Sequence, residues 1–270
     1  MPEGPETHYI ADRLRQLLLD EPLTDVRFSP PELKAFERAL KGHAVSHVEA
    51  RGKALLTAFD NGLTLYTHSQ LLGYWNFQHK TPPDPAVGAP RAWLATASSS
   101  AALYVAPKVE IWKTEEIHAH PFLAKLGPDV LDPTVIAADF IARIGHPPFS
   151  RRKLAVLLLQ QDFAAGMGNY LRSEVLYEAR LSPTRIAASL TAMEREALAN
   201  ALLSIPRRSY RSKFKGPLPV SSKDYLAHTA RTFRFKVFER DGYPCPGCGG
   251  QIVMERLASR RLYWCPRCQR

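Results

Sequence analysis

Apolar side chains at Ile10, Leu14, Leu17 and Leu18 recur at the spacing of one helix face, which predicts a helix over about residues 5–19. Pro5 suits its first turn, where a missing N–H leaves no hydrogen bond unmade. The pattern then changes to short apolar runs punctuated by turn residues. Residues 23–28 read as a strand, 31–40 as a short helix, and 44–59 as two strands around the turn Arg51-Gly52-Lys53. Residues 63–66 and 74–77 extend the sheet, a Pro-rich loop covers 81–90, and strands resume at 91–96, 101–106 and 109–113. Many short strands with turn signals predict a β-sandwich or barrel flanked by the first helix.

The second half returns to helical spacing, at about 134–144, 152–161, 170–179 and 191–203. Residues 211–232 are polar and rich in Pro, Ser and Lys, and read as a mobile loop. Strand-like runs at 252–254 and 262–264, joined by 257–261, close the chain as a hairpin. The fold class is α+β. The expected division is a β-sandwich domain over 1–113, a hinge over 114–133, a helical domain over 134–232 and a hairpin over 233–270.

Charge sharpens this picture. The chain has 270 residues and a formal net charge of +10. Residues 207–270 alone hold 15 Lys/Arg against 4 Asp/Glu, so the rest is close to neutral. A basic end of that strength points to a polyanionic partner, nucleic acid above all. No apolar run reaches membrane-spanning length and no signal peptide precedes the first helix, so a soluble, cytoplasmic protein is expected.

All four cysteines lie near the end, as Cys245-x2-Cys248-x16-Cys265-x2-Cys268. Two pairs at this spacing read as a four-cysteine zinc site, with two disulfides as the alternative in an oxidising compartment. A hairpin pinned in this way presents Arg260 or Arg261 at its tip, either merely solvated or gripping a phosphate.

Two further stretches carry candidate chemistry. If Met1 is removed, Pro2 becomes a secondary amine beside the Glu3 carboxylate, at the positive end of a helix. An α-amino group titrates near ~8, well below lysine, so much of it is a neutral nucleophile. It can attack an aldehyde-like sugar carbon to give an iminium, with Glu3 moving the protons. Equally, Pro2-Glu3 can be no more than the way a chain begins. The second stretch is Gly166-Met167-Gly168-Asn169, where two helices meet in a tight double turn with basic Arg172 nearby. Backbone N–H groups at such a helix start can hold a phosphate, or the turn can be a plain connection.

Taken together, Pro-Glu-Gly-Pro-Glu at the start, Arg51-Gly52-Lys53, Gly166-Met167-Gly168-Asn169-Tyr170 and the terminal four-cysteine ribbon resemble the formamidopyrimidine-DNA glycosylase and endonuclease VIII family of base-excision repair enzymes. The resemblance covers the whole chain. Gly4, where Leu is usual in the formamidopyrimidine branch, is similar to the endonuclease VIII branch, as are Gly127-Pro128-Asp129-Val130-Leu131-Asp132 and Phe233-Arg234-Phe235-Lys236-Val237-Phe238.

The resemblance implies a β-sandwich and a helix-two-turn-helix domain, with duplex DNA bound in the cleft between them. It implies that Pro2 attacks C1′ of the damaged nucleoside, that Glu3 donates and accepts protons, and that Lys53 assists elimination and holds a phosphate. Asn169 would bind phosphate, and Arg260 would match the arginine of the zinc hairpin. A guanidinium pKa above ~12 favours anchoring over proton donation for that residue. Gln70-Leu71-Leu72 would be the wedge that fills the space of an everted nucleotide, although Leu71 and Leu72 alone read as sheet core. Leu72 stands where relatives often carry an aromatic, and Lys125 where close relatives use an arginine on DNA.

The implied protein is a monomeric bifunctional glycosylase and AP lyase with one structural Zn2+, acting on oxidised pyrimidines or abasic sites. Two rivals stand beside it: the same chemistry on formamidopyrimidine and 8-oxoguanine lesions, and a non-catalytic zinc-ribbon DNA-binding protein.

Overall fold

In the computed structural model, described over residues 2–79, 88–215, 219–257 and 259–270, the first helix forms as its periodicity predicts. Helix α1 spans Gly4–Leu18 and buries Ile10, Leu14 and Leu18. Glu6 in its first turn and Arg15 in its last complement the helix dipole. Residues 81–87 of the Pro-rich stretch, and Met1 and Ala258, lie outside the described residues. The described chain gathers into two compact units. Pro2, 6–124 and 219–228 form the first; Glu3–Pro5, 125–215 and 229–270 form the second.

The first unit follows α1 with β1 (Asp25–Phe28), a 3₁₀ turn at Pro31–Leu33 and α2 (Lys34–Leu40). Then come β2 (Val45–Arg51), β3 (Ala54–Phe59), β4 (Leu63–His68), β5 (Tyr74–His79), β6 (Ala92–Ala95), β7 (Ser99–Tyr104) and β8 (Lys108–Lys113). They pair as two antiparallel four-stranded sheets, in the orders β1-β6-β7-β5 and β2-β3-β4-β8, so the all-β half is a sandwich rather than a closed barrel. β6 and β7 are buried along their whole length, which is why the apolar stretches 92–95 and 101–104 run without alternation. Ile117, Phe122 and Leu123 pack with Trp112 against Ala54, Leu56 and Tyr66 of the second sheet, so residues 114–124 cover it rather than hang free.

The second unit is mainly helical: α3 (Ala137–Gly145), α4 (Pro147–Ser150), α5 (Leu154–Leu157), α6 (Asn169–Glu178) and α7 (Ala192–Ser212), with the end of α8 (Tyr225–Phe233, of which 225–228 belong to the first unit) and the hairpin β9 (Val253–Leu257) and β10 (Arg260–Trp264). The helix expected at 152–161 shrinks to the single turn α5. Its first two N–H groups, which a helix start leaves unpaired, go to distant carbonyls: Leu154 donates to Arg185 at 2.8 Å and Ala155 to Pro183 at 2.9 Å. Helix α7 starts on a capping box, Thr191 with Glu194, and runs nine residues past the predicted end, through Pro206. Burial of Leu202, Ile205 and Ser209 offsets the hydrogen bond that Pro206 cannot make.

Near the middle of α6 the buried Glu174 carboxylate accepts N–H groups from Lys236, Val237 and Phe238, at 2.9–3.1 Å. This ties the approach to the zinc hairpin onto α6.

The reading of 211–232 as a mobile loop needs correcting for its described part. Phe77 N–H donates to the Val220 carbonyl at 3.0 Å, and Trp75 N–H donates to Ser222 Oγ at 2.7 Å. The segment therefore docks along the edge strand β5 before turning into α8. Polar composition hid this, because the partners lie about 145 residues away in sequence.

Candidate functional site

Glu3 is buried, at 3% exposure, against the start of α6. Tyr170 N–H donates to its Oε1 at 2.8 Å and Leu171 N–H to its Oε2 at 3.1 Å. A carboxylate has acceptors only, so two orphan donors of a helix start suit it well, and the helix dipole adds to the match. The turn before α6 makes room for this. Gly166 takes φ 90° and its carbonyl accepts the Gly4 N–H at 2.8 Å. A Cβ on Gly168 would lie 2.6 Å from Glu3 Oε1. These two N–H groups, read from sequence as a phosphate cradle, are thus taken by the protein's own carboxylate.

Lys53 sits in the two-residue loop that joins β2 to β3, where Arg51 pairs with Ala54 and Gly52 adopts φ 62°. Ala54 pairs in turn with His68. Burial, and then the nearby Lys53 ammonium, lower His68 to about 4, so it is neutral at pH 7. Its Nδ1 accepts the Gln70 N–H at 3.0 Å, which leaves the proton on Nε2.

Gln70 itself holds the left-handed φ of 48°, at the tip of a loop closed by Gly73 N–H to the Ser69 carbonyl at 2.8 Å. A Cβ on Gly73 would lie 2.7 Å from the Ser69 backbone, so glycine is required there. The loop leaves Leu71 64% and Leu72 71% exposed, which removes the sheet-core reading of both.

Pro2, Leu71 and Leu72 line one cavity of about 260 Å³ with Glu6, Gly73, Tyr74 and the docked segment's Ser222, Lys223, Tyr225 and Leu226. The Lys223 ammonium lies 3.8 Å over the Tyr74 ring, a cation–π contact. Burial pushes the Tyr225 hydroxyl well above the ordinary tyrosine range, so it stays protonated. Sequence reasoning missed Tyr74, Lys223 and Tyr225, since no local motif marks a residue delivered by a distant segment.

In the second unit the four cysteines are free thiols whose sulfur atoms all lie within 4.8 Å of one another. Cys245 to Cys268 is 3.7 Å and Cys248 to Cys265 is 3.6 Å. A zinc tetrahedron with Zn–S of ~2.3 Å has edges of about 3.8 Å, so the cluster has the size of the ion's first shell. Gly247 N–H points at the Cys245 sulfur (3.4 Å), as does the Tyr177 hydroxyl (3.6 Å). Such donors steady thiolate ligands. Hydrogen bonding to Cys248, then burial and the other two sulfurs, raise Cys268, a crowding of sulfurs that a divalent cation relieves.

The hairpin tip carries exposed Arg260, and Lys125 is exposed as well. Arg172 needs a correction: it is fully buried, so it has no surface to offer a phosphate. Its Nη1 donates to the carbonyls of Ala155 (2.9 Å) and Leu257 (3.4 Å). Its Nη2 donates to Asn169 Oδ1 (2.8 Å) and the Arg261 carbonyl (3.1 Å). Burial lowers its guanidinium to about 10, with the Glu3 carboxylate opposing and Arg260 adding to the fall, and it remains a cation.

Three family models cover most of the chain. The formamidopyrimidine-DNA glycosylase N-terminal domain matches residues 1–108, the formamidopyrimidine-DNA glycosylase H2TH domain 126–215, and the zinc finger found in FPG and IleRS 242–270. The chain belongs to the formamidopyrimidine-DNA glycosylase and endonuclease VIII family. Members of this family are DNA glycosylases and AP lyases. The chain is 45% identical over 269 residues to Endonuclease 8 of Escherichia coli O17:K52:H18 (strain UMN026 / ExPEC), covering 100% of both. Endonuclease 8 of Shigella flexneri is similar to the same degree and extent. Among solved structures, the family fold is shared with Lactococcus lactis Fpg bound to abasic-site DNA, at TM-score 0.83 and 19% identity over 99% of each chain. The same Fpg with an oxidised-pyrimidine DNA matches at TM-score 0.83 and 19% identity over 100% of each.

Proposed function

We propose that this chain removes oxidised pyrimidines from duplex DNA and then cuts the strand at the resulting abasic site. Once Met1 is removed, the Pro2 nitrogen bonds to C1′ of the damaged nucleoside as the C1′–N bond breaks and the base leaves with a proton. The amine then gives up its proton and its lone pair expels O4′, which takes up a proton as the C1′–O4′ bond breaks. The iminium so formed carries its positive charge without protonation and draws electrons from C2′, so loss of a C2′ proton expels the 3′ phosphate. A second elimination expels the 5′ phosphate and leaves a one-nucleoside gap. Glu3 carries protons as the base departs and the ring opens. Lys53 holds the flanking phosphate and assists elimination. Arg260, Asn169 and Lys125 grip further phosphates, and Gln70-Leu71-Leu72 fills the space of the everted nucleotide.

The observation that carries this reading is Pro2 lining a cavity with two leucines left in water. The preference for pyrimidines is supported by the 45% identity to proteins named Endonuclease 8 and by Gly4. Cys245, Cys248, Cys265 and Cys268 would hold one structural Zn2+, which supplies folding energy to the hairpin and no chemistry to the reaction. The chain would work as a monomer in the bacterial cytoplasm. Its relatives are bacterial, and among the described residues no helix is long and apolar enough to cross a membrane.

A cleavage panel tests the substrate. Duplexes each carrying one defined oxidised pyrimidine should be cut faster than those carrying 8-oxoguanine or a formamidopyrimidine. The reverse order would assign the oxidised-purine chemistry instead. Binding without any cutting would leave only a zinc-ribbon DNA-binding protein.

A further inference from the structure

Burying a cation is costly unless its donors are answered. Arg172 is answered at both Nη atoms, by α5, by the first residue of its own helix α6 and by the hairpin, while its Nε has no partner among the described residues. The carbonyls of Leu257 and Arg261 stand on either side of the hairpin tip that bears Arg260, and Ser259 at that tip holds a left-handed φ of 59°. Asn169 Oδ1 stands at the first residue of α6, and the Ala155 carbonyl belongs to α5. We propose that Arg172 is a positioning residue that sets the Asn169 amide and the Arg260 tip as a pair, so that two phosphate-gripping groups on different elements keep a fixed spacing. This rests on Asn169 and Arg260 being DNA contacts.

The chemistry of the fork fixes the amide. A guanidinium offers donors only, so the Asn169 atom facing it is the carbonyl oxygen, and its NH2 group is turned toward other acceptors. For a residue meant to donate to a phosphate oxygen this is the required orientation. The same planar head reaches both strands of the hairpin where it turns, which restrains the tip without contributing a side chain to it. Lysine cannot substitute, since an ammonium carries the charge but not the plane that spans four acceptors. Arg172 thereby acts on DNA through Asn169 and Arg260 and touches none itself.

The test is a coupling measurement on a duplex containing a non-cleavable abasic analogue. Zinc content and thermal unfolding are followed alongside for Arg172→Lys, Arg260→Ala, the double variant and Asn169→Ala. Arg172→Lys should keep its zinc, weaken binding about tenfold, and lower the slope of log affinity against log salt by about 1, as Arg260→Ala does. In the double variant the Arg172 change should add no more than about twofold. Full additivity with zinc retained would overturn the proposal. If Arg260→Ala and Asn169→Ala both bind as the parent does, the DNA-contact reading fails. If they weaken binding while Arg172→Lys does not, only the positioning role fails. Should Arg172→Lys lose zinc, Arg172→Gln, with a planar head and fewer donors, carries the same comparison. Loss of zinc in both would show that Arg172 holds up the hairpin's fold rather than its aim.

Discussion

The loop 69–73 closes through Gly73 and leaves Leu71 and Leu72 64% and 71% exposed, whereas the turn before α6 takes the Glu3 carboxylate down to 3% exposure. Each departs from ordinary burial, in opposite directions. Leaving a leucine in water forgoes about 1.5–3 kcal/mol, and a buried carboxylate must find donors to offset its lost hydration. Both turns are fixed by glycines that admit no side chain without displacement, Gly73 against the Ser69 backbone and Gly168 against Glu3. The comparison teaches that backbone geometry, rather than side-chain preference, sets where these groups sit. Such conflicts with local preference are expected where a site is built.

The largest effect should come from the buried turn. Gly168 has an extended backbone (φ −144°, ψ −154°) that any residue can adopt, so alanine there meets only the carboxylate. Gly168→Ala should push Glu3 off the Tyr170 and Leu171 N–H groups and cut base excision about 100-fold, as Glu3→Gln should. Strand cutting at pre-formed abasic sites should fall less than about tenfold in both. Equal loss of the two activities would mean that the turn serves the fold and not the proton transfers of Glu3.

At the exposed turn the prediction has the opposite character. Replacing both Leu71 and Leu72 by alanine should leave stability within about 0.5 kcal/mol of the parent, because neither side chain is packed. Excision from paired lesions should drop roughly tenfold and recover on lesions placed in unpaired strands, where eversion costs least. A large loss of stability would return the two leucines to the core.

The last effect is on stability alone and concerns His68, which receives the Gln70 N–H and so steadies the exposed loop. Its folded pKa, about 4, lies below the unfolded value of roughly 6.5, so the unfolded chain takes up the proton first on acidification. Stability should therefore fall as pH drops from about 6.5 to about 4, by roughly 2 kcal/mol, and this contribution should stay level above 6.5. His68→Gln should flatten that part of the curve in thermal unfolding; an unchanged slope would assign it to other groups.

Much of this was legible in the chain. The periodicity of Ile10, Leu14 and Leu18 gave the first helix, and the cysteine spacing matched a cluster within 4.8 Å. Local signals were short-range, and they failed where distant partners decide. The polar 219–224 stretch is ordered by β5, and the first N–H groups of α5 are met by carbonyls at Pro183 and Arg185. Arg172 misled for another reason. A basic residue beside a glycine turn reads as a surface cation, and only the hairpin folding over it, 85–89 residues later, turns it into a buried clamp.

The central claim is that the amino group of Pro2 is the atom that bonds to deoxyribose. Borohydride reduction during reaction with a lesion-containing duplex, followed by peptide mapping of the adduct, tests it most directly. The adduct should sit on an amino-terminal peptide that begins with Pro2. An adduct on Lys53 alone, or full activity from protein that retains Met1, would contradict it.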